Sequence, residues 1–584
     1  MRFLRCSIII FFFLACVKTA YAVSAADVSA GIREALPGSV APARVNENLT
    51  PPPELPTYGT HVTTPKEAAE TALNKEAQRI KFKLTKIILE GNRIYSDAQL
   101  ETIYRSKLNT IISIAELQNI VQEISNYYRN NGYILSRAIL PAQHVKNGVV
   151  HVRILEGTID KVRVIGTPKG AKSLIFAYGK HIADTKPVNI DAMTYYLRII
   201  NEIPGVSSKA VLEPSKNVTG ASDMDLVTNT ATFTGYLSYD DYGTRYMGPQ
   251  ETTVGGQFNS IFRAGDATYI SYVTTARPLE MRFIDFSNDT PVGTHGKRFQ
   301  AGINNALTRP GFVLTPLDLA GDAFSIYGNF KMPMVRTATH NFTLNAGYNY
   351  LDSGMDLFHA TPLLTTTLYL DHIRAVNLTG MFDFTDRFYG ANLLNVMIEQ
   401  GLNILGASNN PNSPTISRPD GHGVYTRFTL QFNRLQQIKG PFSAFLNIKG
   451  QDALEPLLTY AQFGYGGSQL GRGYDPAEII GDKGAGGSLE LRMDFNPHWS
   501  FLLQSTQFYI FYDAGVIWNI KHLAVSPIKQ SAMSTGFGIR FILNKYISGN
   551  IMIAQPLTKK VATNQILGNG KQPREFFSVV ASFL

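Results

Sequence analysis

The chain has 584 residues, 44% of them apolar and 17% charged, with a formal charge of +9 and only two cysteines. That length exceeds one ordinary core, so at least two units are expected. The cationic excess is modest for the size and gathers in no basic run, which argues against nucleic acid as a partner.

At the N-terminus, Arg2 and Arg5 precede the apolar stretch CSIIIFFFLACV and the small-x-small site Ala20–Ala22. These are the three parts of a secretory signal peptide over residues 1–22. Cleavage there removes Cys6 and Cys16, leaving no disulfide, thiolate metal site or cysteine nucleophile. The alternative is a lipobox, FLAC, with Cys16 lipidated. No later run of 18 apolar residues offers a helical membrane span. A mean hydropathy of −0.05 remains compatible with a transmembrane barrel, whose apolar residues alternate with polar ones.

Residues 23–36 read as a short amphipathic helix capped by Asp27, with Val28, Ile32 and Leu36 on one face and Pro37-Gly38 as its stop. Residues 37–63, including PPPELP, read as a proline-rich linker unable to pack a core. Residues 64–81 are a helical lead-in, with Thr64 as cap, Pro65 in the first position and Glu67 completing a capping box.

From 82 to 158 the pattern is strand–helix–helix–strand–strand. Ser96 caps the first helix, and Ser113 with Glu116 makes a capping box for the second. The second helix carries Leu117, Ile120, Val121, Ile124 and Tyr128 as its apolar stripe and stops at Gly132. Asn147-Gly148 marks a hairpin between the last two strands. Residues 159–228 loosely repeat this plan, with Asn189 capping the helix DAMTYYLRII and SKAVLEP as a strand.

From 229 to 584 short alternating segments follow, such as NFTLNAGYNY, where Phe342, Leu344, Ala346, Tyr348 and Tyr350 oppose Asn341, Thr343, Asn345 and Asn349. At about 20 to 25 residues per strand and turn, this stretch holds about 14 to 18 strands. The fold class is therefore an antiparallel transmembrane β-barrel preceded by two α+β units; a soluble β-sandwich or propeller is the alternative. In the last strand Phe577, Val579, Ala581 and Phe583 share one face.

The stretch Tyr127–Gly157 resembles the first POTRA module of two-partner secretion transporters, the haemolysin activation/secretion family. The shared pattern is Gly132-Tyr133, Pro141-x-Gln143 and Glu156-Gly157. The likeness runs from about residue 80 to the end, with YDDYGTRYMGPQ near Tyr239 similar to the start of the family's barrel. It implies a barrel of about 16 strands in the Gram-negative outer membrane, POTRA domains in the periplasm, and residues 23–36 as a removable plug helix. A disordered tail is the other reading of that helix. The last strand is similar to the signal by which barrel-assembly machinery selects its clients, although the aromatic Phe583 is followed by Leu584.

In the same superfamily a long loop folds back into the lumen and ends in an Arg-Gly-aromatic tip. Gly471-Arg472-Gly473-Tyr474, within a loop near 464–486, matches it. The resemblance pairs Arg472 with Asp513 in the Phe511-x-Asp513-x-Gly515 pattern and brings Glu490 from the strand between. Flanking glycines permit a sharp turn, and a guanidinium can grip a carboxylate through two parallel hydrogen bonds. Without that partner, GRGY is simply a glycine-rich surface turn.

The implied function is export of one large secreted exoprotein, recognised through its N-terminal secretion domain by the POTRA modules and passed through the barrel without nucleotide hydrolysis. A factor that inserts barrels into the membrane is the alternative. The exposed edge of SKAVLEP and the groove beside DAMTYYLRII are the two candidate binding places. No catalytic, cofactor or metal motif accompanies them. His340, His359 and His372 have unrelated spacing, and IGDKGAGG lacks the P-loop order. Outer-membrane lipid is the other expected partner, with Trp499, Trp518 and Tyr509 as interfacial aromatics.

Overall fold

A computed structural model describes residues 32–33, 35–49, 62–63, 75–361, 365–495, 503–521, 527–565 and 568–583. The expected signal peptide, Val28, the PPPELP run, the Thr64–Glu67 capping box, Trp499 and Leu584 lie outside them.

The first α+β unit follows the sequence closely. Ser96 and Ser113 each accept from the backbone N–H three residues on, and Gln99 and Glu116 reciprocate, so both helices start on complete capping boxes. The long helix Ile114–Asn130 buries Leu117, Ile120, Val121, Ile124 and Tyr128. It packs on a sheet in which Val149–Leu155 lies between Lys86–Glu90, parallel, and Arg137–Ile139, antiparallel.

The motif residues hold this unit together. Glu156 accepts from the N–H groups of Arg93 (2.7 Å) and Ile94 (2.8 Å) and from Tyr128 Oη (3.1 Å). Tyr133 joins Tyr95 and Tyr128 in an edge-to-face cluster. Gln143 pairs with the backbone of His151 through both ends of its amide (2.7 and 2.8 Å), and its Nε2 reaches the Pro141 carbonyl at 3.4 Å. Gly132 ends the helix with φ +90°, where a Cβ is strained.

The second unit places helices Lys172–Asp184 and Ile190–Asn201 on a sheet of Thr158–Thr167, Ala221–Thr230 and Val206–Pro214. Its strands therefore reach slightly beyond 159–228, and the barrel begins at Phe233 rather than 229. The SKAVLEP edge is covered in part: Val62 and Thr63 pair with it in parallel, opposite Ala210 and Val211.

Sixteen antiparallel strands, from Phe233–Asp240 to Arg574–Phe583, close into a barrel as the last pairs with the first. Closure matters because lipid offers backbone groups no partner. Val579 and Phe583 are exposed and Phe576 is buried, so the face of the last strand read from sequence points outward. The second unit docks on the near rim. Its Tyr195 donates to the Pro333 carbonyl (3.0 Å), its Glu202 meets Arg336 (2.5 and 3.2 Å), and its His181 bonds Thr294 (2.9 Å).

Two expectations fail inside the barrel. Residues 37–49 are no free linker: they form two 3-10 turns and a short helix, Val45–Leu49, within the bore, where Val40, Ala43 and Val45 are buried with Met281, Phe283, Leu351, Met355 and Ile373. Ile32 and Leu36 of the expected plug helix pack against the same cluster. The far half of the lumen thus contains an apolar cluster beside buried charges, and the N-terminal stretch supplies part of the layer that covers it. Tyr509 is also no interfacial aromatic: it faces inward, buried, with its hydroxyl on Asn550 Oδ1 (2.8 Å).

Gly157 shows how tightly the first unit is fitted. A Cβ there would lie 2.4 Å from Leu135 Cβ and 2.5 Å from its carbonyl oxygen. Gly157→Ala is expected to destabilise the unit by about 1–3 kcal/mol. Amide-exchange protection in Val149–Leu155 should fall in proportion.

Candidate functional site

The loop between the eleventh strand (Phe442–Ala453) and the twelfth (Lys483–Phe495) runs from 454 to 482 and enters the bore from the far rim. It is longer at its start than the 464–486 expected, and Gly484 and Gly486 belong to the strand after it. A two-stranded ribbon, Phe463–Tyr465 with Ile479–Gly481, stiffens its stem.

At the tip, Gly471 takes φ +81° and Tyr474 N–H closes a turn onto the Gly471 carbonyl (2.9 Å). Gly473 is pressed so close to the wall that a Cβ would sit 2.7 Å from Ser534 Cβ. The two glycines thus bring the Arg472 backbone itself within reach of the barrel. Tyr474 donates to the Met533 carbonyl at 2.7 Å, fixing the turn's far side.

Arg472 is 4% exposed and meets two carboxylates at 0% and 3% exposure, Asp513 and Glu490. Asp513 accepts from the Arg472 backbone N–H (2.9 Å), Nε (3.1 Å) and Nη2 (2.7 Å). Nη1 donates to Glu490 and Nη2 also donates to Ser488 Oγ (2.7 Å). The guanidinium lies 3.6 Å from the centroid of Phe511. Every part of the expected tip and wall motif, Gly471–Tyr474, Phe511, Asp513, Gly515 and Glu490, comes together here.

Gly515 has a separate reason for being glycine. A Cβ there would lie 2.2 Å from the Tyr465 ring, which fills the space between loop stem and wall. Sequence reading missed Tyr465, and it missed two further cations on Glu490. Arg492 Nε donates to Glu490 at 2.7 Å, and Arg540 donates from both Nη atoms at 2.9 and 3.1 Å. Arg492 lies two residues from Glu490, so strand parity alone puts both on one face.

A second group pins the loop's descending limb. Asp475 accepts from Arg574 Nη2 (2.7 Å) and Thr563 Oγ1 (2.6 Å), while Glu478 accepts from Ala562 N–H (2.9 Å). The N-terminal stretch holds the other limb: Arg44, fully buried, donates to the carbonyls of Thr459 and Gln462, both at 2.9 Å, and pairs with Glu47. Among the described residues no group of three metal-binding side chains occurs.

Residues 220–541 match the family of the haemolysin secretion/activation proteins ShlB, FhaC and HecB, and residues 82–157 match the ShlB-type POTRA domain. The chain belongs to that family. It is an outer-membrane two-partner secretion transporter, its barrel in that membrane and its POTRA domain on the periplasmic side, so the near rim is periplasmic and the far rim extracellular. Among relatives, the haem/hemopexin transporter protein HuxB of Haemophilus influenzae strain 86-028NP is 23% identical over 496 residues, spanning 83% of this chain and 85% of its own. The outer membrane transporter CdiB of Dickeya dadantii is 20% identical over 495 residues, 82% and 83% of the two chains. The chain also overlays the solved CdiB of Escherichia coli, with a TM-score of 0.69 at 16% identity, covering 89% of this chain and 93% of that one. For CdiB of Acinetobacter baumannii the TM-score is 0.61 at 17% identity, with 89% and 94% coverage. Family members are transporters.

Asp513→Ala removes one of the two counter-charges of a guanidinium sealed from water. The seated loop is expected to lose on the order of 3–5 kcal/mol. Limited proteolysis of the folded barrel should then cut within 454–482, where the intact protein resists. Arg472→Lys, which keeps the charge and loses the fork, should fall between the two.

Proposed function

We propose that the protein exports one large secreted exoprotein, engaging its N-terminal secretion domain in the periplasm with the α+β units and passing it through the bore in an extended state. The carrying observation is that two separate pieces of chain, residues 37–49 and the loop 454–482, lie buried inside the extracellular half of the bore and bind each other through Arg44. Neither is part of the barrel's hydrogen-bonded wall, so both can move without opening the sheet. A bore blocked by removable parts supports a gated transporter better than a constantly open pore.

In this reading Arg472 and Asp513 keep the loop registered on the wall, and residues 23–36 form the plug with 37–49 as its root. The groove beside Ile190–Asn201 is the favoured place for the secretion domain, because Val62–Thr63 already occupy the neighbouring strand edge. The outward apolar face of the barrel meets lipid, and the last strand, with Phe577, Val579 and Phe583, is read by the barrel-assembly machinery during biogenesis. The protein catalyses no reaction; the free energy for export comes from folding of the exoprotein outside.

The test is export of an N-terminal fragment of the partner into the medium at matched outer-membrane levels of transporter. Arg472→Ala is expected to cut export at least about tenfold, since its seated state depends on a buried pair. Equal export from the variant would remove the role assigned to Arg472. Assembly defects in many unrelated barrels on depletion would instead support an insertion factor. Deleting residues 23–49 should raise single-channel conductance severalfold while leaving the barrel folded.

A further inference from the structure

Asp482 ends the lumen loop, and nothing in the tip motif involves it. It is 0% exposed, and four donors converge on its carboxylate. Oδ1 accepts from Arg418 Nη1 and from the Leu457 N–H (2.9 Å); Oδ2 accepts from Arg418 Nη2 (3.0 Å) and from the Ile520 N–H (2.9 Å). These donors come from three different extracellular loops: 402–425 supplies Arg418, 454–482 supplies Leu457, and the loop after the strand Ser505–Trp518 supplies Ile520.

Arg418 is itself 5% exposed and reaches further, to the Leu457 carbonyl at 3.1 Å. Around it the loop 402–425 is strapped down: Ser417 N–H donates to Asp371 (2.8 Å), and Thr459 N–H donates to Ser417 Oγ (3.0 Å). Directly beneath lies a small cavity lined by Leu36, Val40, Met355, Tyr369, Ile480 and Asn519, so the floor of this junction is the N-terminal stretch.

We propose that Asp482 is the positioning residue of an extracellular gate: its carboxylate, with Arg418, ties three loops into one lid over the N-terminal stretch. This rests on the transport reading above, since a lid matters only if something leaves by that route. A carboxylate suits the task because it is an acceptor only and takes several donors at once. Once buried with four donors it cannot be replaced by an amide, which would turn an N–H₂ group toward one pair of them. The exposed pair Lys521–Asp420 (3.1 Å) joins two of the same loops and should contribute little, because water screens it.

Met355→Cys places a thiol on the cavity beneath the lid, and no native cysteine follows Cys16. Intact cells carrying this variant are treated from outside with a membrane-impermeant maleimide. Adding Asp482→Asn is expected to speed labelling of the introduced thiol at least about tenfold, as breaking a buried pair should. Arg418→Gln, which removes the tie from the other side, is expected to do the same, and Lys521→Gln to leave the rate unchanged. Only barrels that keep heat-modifiable mobility on electrophoresis are scored, so if Asp482→Asn fails to assemble, Arg418→Gln decides. Folded variants that label at the parent rate, or an equal rise with Lys521→Gln, would overturn the proposal. Labelling involves no secreted partner, so the result is independent of whether one is exported.

Discussion

The seating of the lumen loop's tip is organised by one desolvated cation. A guanidinium taken out of water costs several kcal/mol, so its donors must all be met and its charge balanced. Arg472 meets this with Asp513, Glu490 and Ser488 while its plane lies on Phe511. The rest follows from bringing it there. The backbone must approach the wall, which needs Gly471 and Gly473; the stem must be stiff, which the short ribbon and Tyr465 provide; and Tyr465 needs Gly515 opposite it. Glu490 is shared with Arg492 and Arg540, so the wall holds its own charges in place whether or not the tip is seated.

The loop is therefore held at several independent points, of different character. Its tip contact is ionic and sealed, its descending limb hangs on Asp475 and Glu478, and its ascending limb is joined to the N-terminal stretch by Arg44 through backbone carbonyls. Both junctions use a guanidinium donor, but only the tip sets that charge against buried wall carboxylates. The docking of the second α+β unit through Tyr195, His181 and Glu202 sits at the opposite rim, so motion at one mouth need not disturb the other.

Much of this was legible in the residues. Ser113 with Glu116, the stripe from Leu117 to Tyr128 and the alternation of the barrel strands are local patterns, and local physics enforces them. The tip motif was legible only through likeness to a family, since four residues with two glycines carry no address of their own. Tyr509 was misread although its parity with Phe511 and Asp513 already placed it on the inner face. Val40 and Val45 gave no signal, because two apolar residues among prolines show no period; their burial depends on side chains more than 200 residues away along the chain. Arg418 and Asp482 stand 64 residues apart in irregular loops, where spacing carries no meaning.

The apolar cluster in the extracellular half of the bore also sets how the proposed opening should respond to temperature. Withdrawing residues 37–49 uncovers Phe283, Leu351, Met355 and Ile373, much as melting a small protein core does. Such exposure carries a positive heat-capacity change, and the force resisting it weakens on cooling. In the proposed opening, the closed state would be tighter in warmth than in the cold over the range where the barrel stays folded. An uncharged segment of travelling chain that covers those side chains would hold the passage open for as long as it remained inside.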